Sequence, residues 1–215
     1  YFRKDKLLVL RDNGLGMTKE EFESRWLTLG TESKFLNKKT PPPPKDPEKP
    51  ERPIMGEKGI GRLAIASIGS QVLILTKANR PKEEHKIVAV LINWSIFELP
   101  GLDLDDVVIP IREFSELPKS AEIKEMKDEL KESLETLYDK DDIEYEEYSR
   151  LYDQIDNFKI SPKKLSRTLV GKFDFDDKNG GTHFYISPVD ETLNHNIDGD
   201  KDNTTATKIE KMLMG

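Results

Sequence analysis

Cysteine is absent from this chain of 215 residues, and histidine occurs only three times. Without cysteine there are no disulfides and no thiolate metal sites, and this composition suits a reducing compartment, so we expect a cytoplasmic protein. The histidines, His85, His183 and His195, stand in unrelated segments, which argues against a histidine metal cluster. We therefore predict no metal-ligating residue in the chain.

Long hydrophobic runs are missing as well. No apolar stretch approaches the length that crosses a bilayer, and no signal-peptide pattern opens the chain, so we predict no membrane partner. Charged residues make up 35% of the chain. The length allows one domain with a full core, or one domain that carries an insertion. Because the chain begins with Tyr1 rather than Met, we expect it to be part of a longer protein.

The formal net charge of −7 is unevenly distributed. Residues 113–156 contain 16 Asp and Glu against 6 Lys and Arg, a net charge of −10 that leaves +3 for the rest of the chain. The acidity therefore belongs to one segment, and the remainder is able to meet a phosphate or a nucleic acid.

The first strong pattern joins a strand to a helix. Residues 6–11 (KLLVLR) are typical of a buried strand, and residues 12–17 (DNGLGM) follow with hardly any spacer. This order puts a carboxylate at the sheet edge, where glycines let the backbone approach a flat ligand. Thr18 and Glu21 have capping-box spacing, which predicts a helix over residues 18–28. The alternative is a plain turn between strand and helix.

Three clustered glycines mark residues 56–64 (GEKGIGRLA), which run into an apolar, helix-like stretch. A glycine loop before a helix presents unpaired N–H groups and the positive end of the helix dipole, so it suits a phosphate. The alternative is a tight turn that caps a packed helix. A P-loop is disfavoured because Arg62 stands where its lysine belongs, and a dinucleotide fingerprint because no strand precedes the loop.

A polar, proline-rich stretch, residues 37–53, joins these two motifs. Its composition favours extended polyproline II structure over a packed element. Its position favours a mobile lid over a ligand, and the alternative is an idle loop.

The middle of the chain alternates strand patterns with one helical stretch. We predict a short helix that ends at Gly69, then strands at residues 71–76, 86–92 and 106–111 in an antiparallel meander. Residues 118–158 carry apolar residues at spacings of three and four, which predicts two amphipathic helices with acidic wet faces. The residues predicted to face inward are Ile123, Met126, Leu130, Leu134, Leu137, Tyr148, Leu151, Ile155 and Phe158.

The strand pattern returns near the end of the chain. Residues 168–175 and 181–186 flank Asn179-Gly180, which predicts a β-hairpin. The polar residues 188–203 are predicted as loop, and residues 206–214 as the start of a further helix.

Together these motifs resemble the GHKL ATPases. Residues 12–17 are similar to their adenine-box motif, residues 56–64 to their second glycine box, residues 29–34 to the start of their ATP lid, and Gly181-Thr182 to a late strand motif. That superfamily contains gyrase B, the heat-shock protein 90 chaperones, the histidine kinases and MutL, with the MORC proteins as relatives. The long lid and the helical stretch are nearer to the chaperone, MutL and MORC branch than to the kinases.

The resemblance implies an α+β fold, a two-layer sandwich in which a mixed, mainly antiparallel sheet carries helices on one face. We expect the ATP-binding domain to occupy residues 1–112 and 159–190. An acidic helical insertion would occupy residues 113–158, and a C-terminal extension residues 191–215.

The resemblance also implies roles for particular residues. Asp12 would accept a hydrogen bond from the adenine amino group, Met17 would pack against the base and Thr182 would support the same edge. Lys58 would add charge at phosphates held by the second glycine box, and Lys34 is a lid candidate whose alternative is an exposed lysine. The expected nucleotide-binding residues are Asp12, Gly14, Gly16, Met17, Lys34, Gly56, Lys58, Gly59, Ile60, Gly61 and Thr182.

One departure concerns the chemistry. GHKL ATPases carry, on a helix before the adenine box, a Glu that acts as general base and an Asn that ligates Mg²⁺. Nothing before Lys6 can form that helix, so we expect the general base upstream of Tyr1 and ATP hydrolysis in the full-length protein. The expected cofactors are ATP or ADP with Mg²⁺. Lid closure over ATP would drive homodimerisation and control a downstream module.

Two other hypotheses stay open. One is a non-catalytic interaction module that keeps a vestigial nucleotide pocket and binds a protein partner through the acidic insertion. The other is the ATPase module of a DNA-processing or defence protein, which would contact DNA through other domains.

Overall fold

A computed structural model describes residues 1–27, 64–80, 83–102, 106–169, 175, 180–191 and 193 of the chain. Within these ranges one sheet of five strands organises the fold, in the order β1-β5-β2-β3-β4. The strands are β1 Leu8–Asp12, β2 Gln71–Lys77, β3 Ile87–Asn93, β4 Ile111–Phe114 and β5 Gly181–Ile186. Every pairing between them is antiparallel. The predicted α+β fold with a mainly antiparallel sheet is confirmed.

Strand β5 lies between β1 and β2 and is paired along both edges. A hairpin partner would need one of those edges. The predicted pairing of residues 181–186 with residues 168–175 is therefore wrong. Alternating residues fit any antiparallel neighbour, and here the neighbours come from distant parts of the chain. The turn residue Asn179 lies outside the described residues, as do the predicted loop and helix beyond residue 193.

The central strands β2 and β3 are buried along almost their whole length. Their sequences, QVLILTK and IVAVLIN, are nearly continuous apolar runs. A strand with apolar residues at consecutive positions needs cover on both faces of the sheet. Two separate apolar clusters provide this cover, one on each face.

Two long helices, α2 Ser120–Asp139 and α3 Tyr145–Asn157, cover one face. Of the nine residues predicted to face inward, eight are buried and Tyr148 is half-buried. They share one cluster with Leu73, Leu91 and Tyr185 of the sheet. The helical pair, which the sequence analysis predicts as an acidic insertion, thus forms a layer on this face. None of the described helices is long and apolar enough to cross a membrane.

The opposite face is covered by the segment that follows β1. Its helix α1, Lys19–Glu21, begins with the predicted capping box, in which the Glu21 N–H donates to Thr18 Oγ1 at 3.2 Å and the Thr18 N–H donates to Glu21 Oε2 at 3.1 Å. A π-helical turn, Phe22–Leu27, continues it. The rings of Phe22 and Trp26 stack with centroids 4.9 Å apart, and Phe22 is fully buried against the sheet. The capping box is confirmed, and the π geometry was not predicted.

The start of β4 differs from the prediction of a strand at residues 106–111. The strand begins at Ile111 because Pro110 has no N–H to donate to the ladder. The Pro110 carbonyl still accepts a hydrogen bond from the Leu91 N–H at 3.1 Å.

The segment just before β2 also differs. Residues 64 and 65 have 3-10 helical geometry and residues 66–68 form a turn, in which the N–H groups of Ile68 and Gly69 both donate to the Ile65 carbonyl at 3.0 and 3.3 Å. Gly69 was predicted to end a helix. A Cβ at this position would lie 2.4 Å from the Pro188 carbonyl oxygen, so the close approach of that backbone is what requires glycine here.

A polar cluster joins helix α3 to the start of β2. Gln154 Nε2 donates to Ser70 Oγ at 2.7 Å, and Gln71 Nε2 donates to the Gln154 carbonyl at 2.9 Å. Asn93 Nδ2 donates to Gln154 Oε1 at 3.2 Å. Because these amides are paired, their burial under the helical layer carries little penalty.

Candidate functional site

The candidate site is a row of three polar side chains across neighbouring strands. Asp12 of β1 is the register partner of Thr182 of β5, which is in turn the partner of Thr76 of β2. Register partners in antiparallel strands point to the same face, with Cβ atoms about 5 Å apart. The face is the one that Phe22 covers, opposite the long helices. A carboxylate and two hydroxyls therefore lie side by side at one end of the sheet.

Asp12 is exposed and ends its strand in a turn. Its Oδ1 accepts a hydrogen bond from the Gly14 N–H at 2.8 Å. A Cβ on Gly14 would lie 2.8 Å from the same oxygen, so glycine leaves room for the carboxylate. The second oxygen, Oδ2, has no partner in the described part of the chain and is available as an acceptor.

Thr76 is fully buried and fixes the loop after β1 to the sheet. Its Oγ1 accepts a hydrogen bond from the Met17 N–H at 2.9 Å. It also lies 3.1 Å from the Gly181 carbonyl oxygen and 3.2 Å from Thr182 Oγ1. A hydroxyl has one proton and two lone pairs, so these three contacts use its full capacity. Thr182 Oγ1 makes one contact, to Thr76, so two of its three hydrogen-bonding positions have no partner in the described part of the chain.

Gly16 brings the loop into contact with the end of β2. Its φ of +56° is a left-handed conformation, and a Cβ there would lie 1.9 Å from the Lys77 carbonyl oxygen. The Asn79 N–H donates to the Leu15 carbonyl at 2.8 Å, beside this contact. Only glycine fits between the loop and the strand without moving one of them.

Arg80 ties the same loop to helix α1. Its guanidinium donates to the Leu15 carbonyl at 2.7 Å and to the Gly16 carbonyl at 3.3 Å. It also forms an ion pair with Glu21, with Nη2 2.7 Å from Oε2, and both side chains are largely buried. The capping-box glutamate therefore has a second partner, and the loop backbone is held from two sides.

The structure brings five of the expected residues together: Asp12, Gly14, Gly16, Met17 and Thr182. The other six lie outside the described residues: Lys34, Gly56, Lys58, Gly59, Ile60 and Gly61. The lid and the glycine loop therefore stay predictions. The described residues contain no group of three acidic or histidine side chains that could hold a metal ion.

Two residues that position the site were missed by sequence reasoning. Thr76 was visible as the one hydroxyl residue near the end of the apolar run of β2, a place where a polar side chain needs a buried partner. Arg80 gave no such signal, because its partners lie 59 to 65 residues earlier in the chain.

An exposed carboxylate, buried hydroxyls and a loop in close backbone contact thus lie together at one end of the sheet of this α+β domain. Residues 2–95 match the family model described as "Histidine kinase-, DNA gyrase B-, and HSP90-like ATPase". This part of the chain is therefore similar to the ATP-binding domains of the GHKL superfamily, as the motifs indicated. A search of curated proteins found no match to the chain.

Proposed function

We propose that this chain binds ATP or ADP and that Asp12 and Thr182 recognise the edge of the adenine base. The row of Asp12, Thr182 and Thr76 carries the proposal. The adenine amino group is a donor, whereas guanine presents a carbonyl oxygen at the same position. The free Asp12 oxygen accepts from the first and repels the second, so the site selects adenine.

Thr182 supplies the complementary group. Thr76 has one proton, which it gives either to the Gly181 carbonyl or to Thr182 Oγ1. Only in the second arrangement, which leaves the Gly181 carbonyl without this donor, is the Thr182 proton free to donate to the ring nitrogen next to the adenine amino group, directly or through water. One acceptor and one donor side by side match the edge of adenine.

The loop after β1 forms the floor of the proposed pocket. Gly16 lets the loop backbone lie in contact with β2, and Met17 packs in the apolar cluster on this face of the sheet. The thioether side chain suits a flat apolar ring because sulfur contacts with aromatic rings are favourable. We assign Met17 to the face of the base.

For the phosphates we propose the second glycine box, residues 56–61, within the matched family segment. Its backbone N–H groups would hold phosphate oxygens, with Lys58 and Lys34 adding charge. Domains of this superfamily bind their nucleotide with Mg²⁺. Lid closure over ATP would promote dimerisation, and hydrolysis would need a general base and an Mg²⁺ ligand in addition to these residues.

Thermal unfolding of the chain with ADP and Mg²⁺ tests the proposal. ADP at about a hundred times its Kd adds about 2.7 kcal/mol to the free energy of unfolding, which raises the Tm by about 5–10 °C. GDP is the ligand control. Asp12→Asn is the test variant, because Asn keeps an oxygen for the Gly14 N–H but can turn a donor toward the adenine amino group. Asp153→Asn, an exposed change on helix α3, is the matched control.

We expect a rise in Tm with ADP that GDP does not give, that Asp12→Asn and Thr182→Val reduce, and that Asp153→Asn retains. Equal shifts with ADP and GDP would contradict recognition of adenine by this row. No shift in any variant would favour the non-catalytic module, and the full-length protein would then be tested in the same way.

A further inference from the structure

Four tyrosines form a continuous row of ring contacts at the end of the helical pair. Tyr138 of α2 stacks on Tyr148 of α3 with centroids 4.9 Å apart. Tyr145 lies 6.1 Å from Tyr138 and 6.5 Å from Tyr148, and Tyr152 lies 5.8 Å from Tyr148. We refer to Tyr138, Tyr145, Tyr148 and Tyr152 as the tyrosine surface.

The outer members of the tyrosine surface are open to solvent. Tyr145 is 66% exposed and Tyr138 is 37% exposed, the two most accessible tyrosine rings among the described residues. The Tyr138–Tyr148 stack joins α2 to α3 at this end, beside the apolar core that the two helices share. Tyr145 adds little buried area to that contact, so packing of the helical pair does not account for an aromatic residue at this position.

Carboxylates surround the tyrosine surface. Residues 135–148 contain seven Asp and Glu and one Lys, and all but one of these charged residues are exposed. Burial, followed by the charge of Glu135, raises the pKa of the Tyr148 phenol, which agrees with a negative potential at the rings. A nucleic acid could stack bases on tyrosines, but this rim repels its phosphates. The surface instead favours cations.

The side chain of Lys131 shows how a cation binds at this surface. Lys131 Nζ lies 4.3 Å from the centroid of the Tyr152 ring and 2.6 Å from Asp156 Oδ1. The ammonium thus contacts a ring face and a carboxylate at the same time. Tyr145, with Glu144 and Glu146 on either side of it in the sequence, offers the same two groups to a cation from outside.

We propose that the tyrosine surface docks a lysine- or arginine-rich segment of a partner protein. Cation–π contacts with Tyr138 and Tyr145 and ion pairs with the surrounding carboxylates would hold it. Several rings in one row suit several basic side chains of one segment better than a single small cation. This inference goes beyond nucleotide binding and does not depend on it.

Fluorescence anisotropy of a labelled peptide of alternating arginine and serine, without nucleotide, tests the proposal. The same peptide with glutamate in place of arginine is the charge control. Tyr145→Ala removes the exposed ring and Tyr145→Phe keeps it. Glu146→Gln removes a carboxylate beside Tyr145, and Glu125→Gln removes an exposed carboxylate elsewhere on α2.

We expect the arginine peptide to bind in a salt-sensitive manner, and Tyr145→Ala to raise its Kd about two- to fivefold at unchanged Tm. Tyr145→Phe should bind like the unmodified chain, and Glu146→Gln should weaken binding more than Glu125→Gln. Absence of binding, equal binding by Tyr145→Ala, or equal effects of the two glutamine variants would overturn the proposal. Tighter binding of a single-stranded oligonucleotide would overturn it as well.

Discussion

Replacing Gly16 with alanine tests whether the loop after β1 must lie in contact with the sheet. Gly16 has a φ of +56°, and an alanine Cβ would lie 1.9 Å from the Lys77 carbonyl oxygen. Gly101 is a matched control. Its φ is +86°, but a Cβ there meets nothing within 4 Å. Both substitutions place alanine in the left-handed region, and only one of them also creates a clash.

The two substitutions differ in their cost to the free energy of unfolding because only the Cβ at Gly16 would clash. A left-handed alanine costs about 1–2 kcal/mol, and the lower entropy of the unfolded chain offsets about 0.5–1 kcal/mol of it. Gly101→Ala should therefore lower the free energy of unfolding by about 1 kcal/mol. At Gly16 the backbone must also move by about 1 Å to restore normal contact. That movement breaks the hydrogen bonds from Asn79 to Leu15 and from Met17 to Thr76.

Each broken bond costs about 1 kcal/mol, so Gly16→Ala should lose about 3–4 kcal/mol in total. For a chain of this size the Tm should fall on the order of 10 °C for Gly16→Ala and about 3 °C for Gly101→Ala. Urea unfolding followed by circular dichroism measures both free energies. Addition of ADP then reports on the pocket, which only Gly16→Ala should impair. Equal losses of stability would refute the close contact that we derive for this loop.

Substitutions at Thr76 and at Asp156 test one buried and one exposed hydrogen bond. Thr76→Val should lower the free energy of unfolding by about 2–3 kcal/mol because the Met17 N–H loses its acceptor, whereas Thr76→Ser should cost about 1 kcal/mol; equal urea midpoints would contradict this. The hydrogen bond and the charge of Lys131 lower the pKa of Asp156 in the folded chain. The Lys131–Asp156 pair therefore stabilises the fold at pH values above the ordinary pKa of an aspartate, and this stabilisation is lost as the pH falls through the lowered pKa. The difference in free energy of unfolding between the unmodified chain and Asp156→Asn should therefore disappear in that acidic range, while the difference for Asp153→Asn should not. Parallel pH profiles of the two variants would contradict this prediction.

Local patterns in the sequence predicted local structure well. The spacing of three and four in residues 118–158 identified the buried face of α2 and α3, because a helix fixes which side chains share a face. The Thr18 capping box was predictable for the same reason, since both partners lie within one turn. Partner choice in the sheet was not predictable. Strand alternation sets which residues point inward, but it does not say which strand lies alongside.

The residues of the candidate site show the same difference between local patterns and tertiary contacts. Motifs singled out Asp12 and Thr182, which lie 170 positions apart and meet only because β5 pairs with β1. Thr76 and Arg80 belong to no motif, and their roles depend on tertiary contacts with the loop after β1. A residue that positions a loop by binding its backbone leaves no fixed spacing in the sequence.

Strand β2 connects the two surfaces for which we propose partners. At one end Thr76 holds the loop of the proposed adenine site, and at the other Gln71 and its neighbour Ser70 bind Gln154 of α3. Helix α3 also carries three members of the tyrosine surface, and its buried face shares a core with the sheet. The acidic helical segment is therefore packed onto the sheet through apolar and polar contacts alike. A basic partner docked on the tyrosines would therefore lie on a helical layer that shares its core with the sheet carrying the proposed nucleotide site.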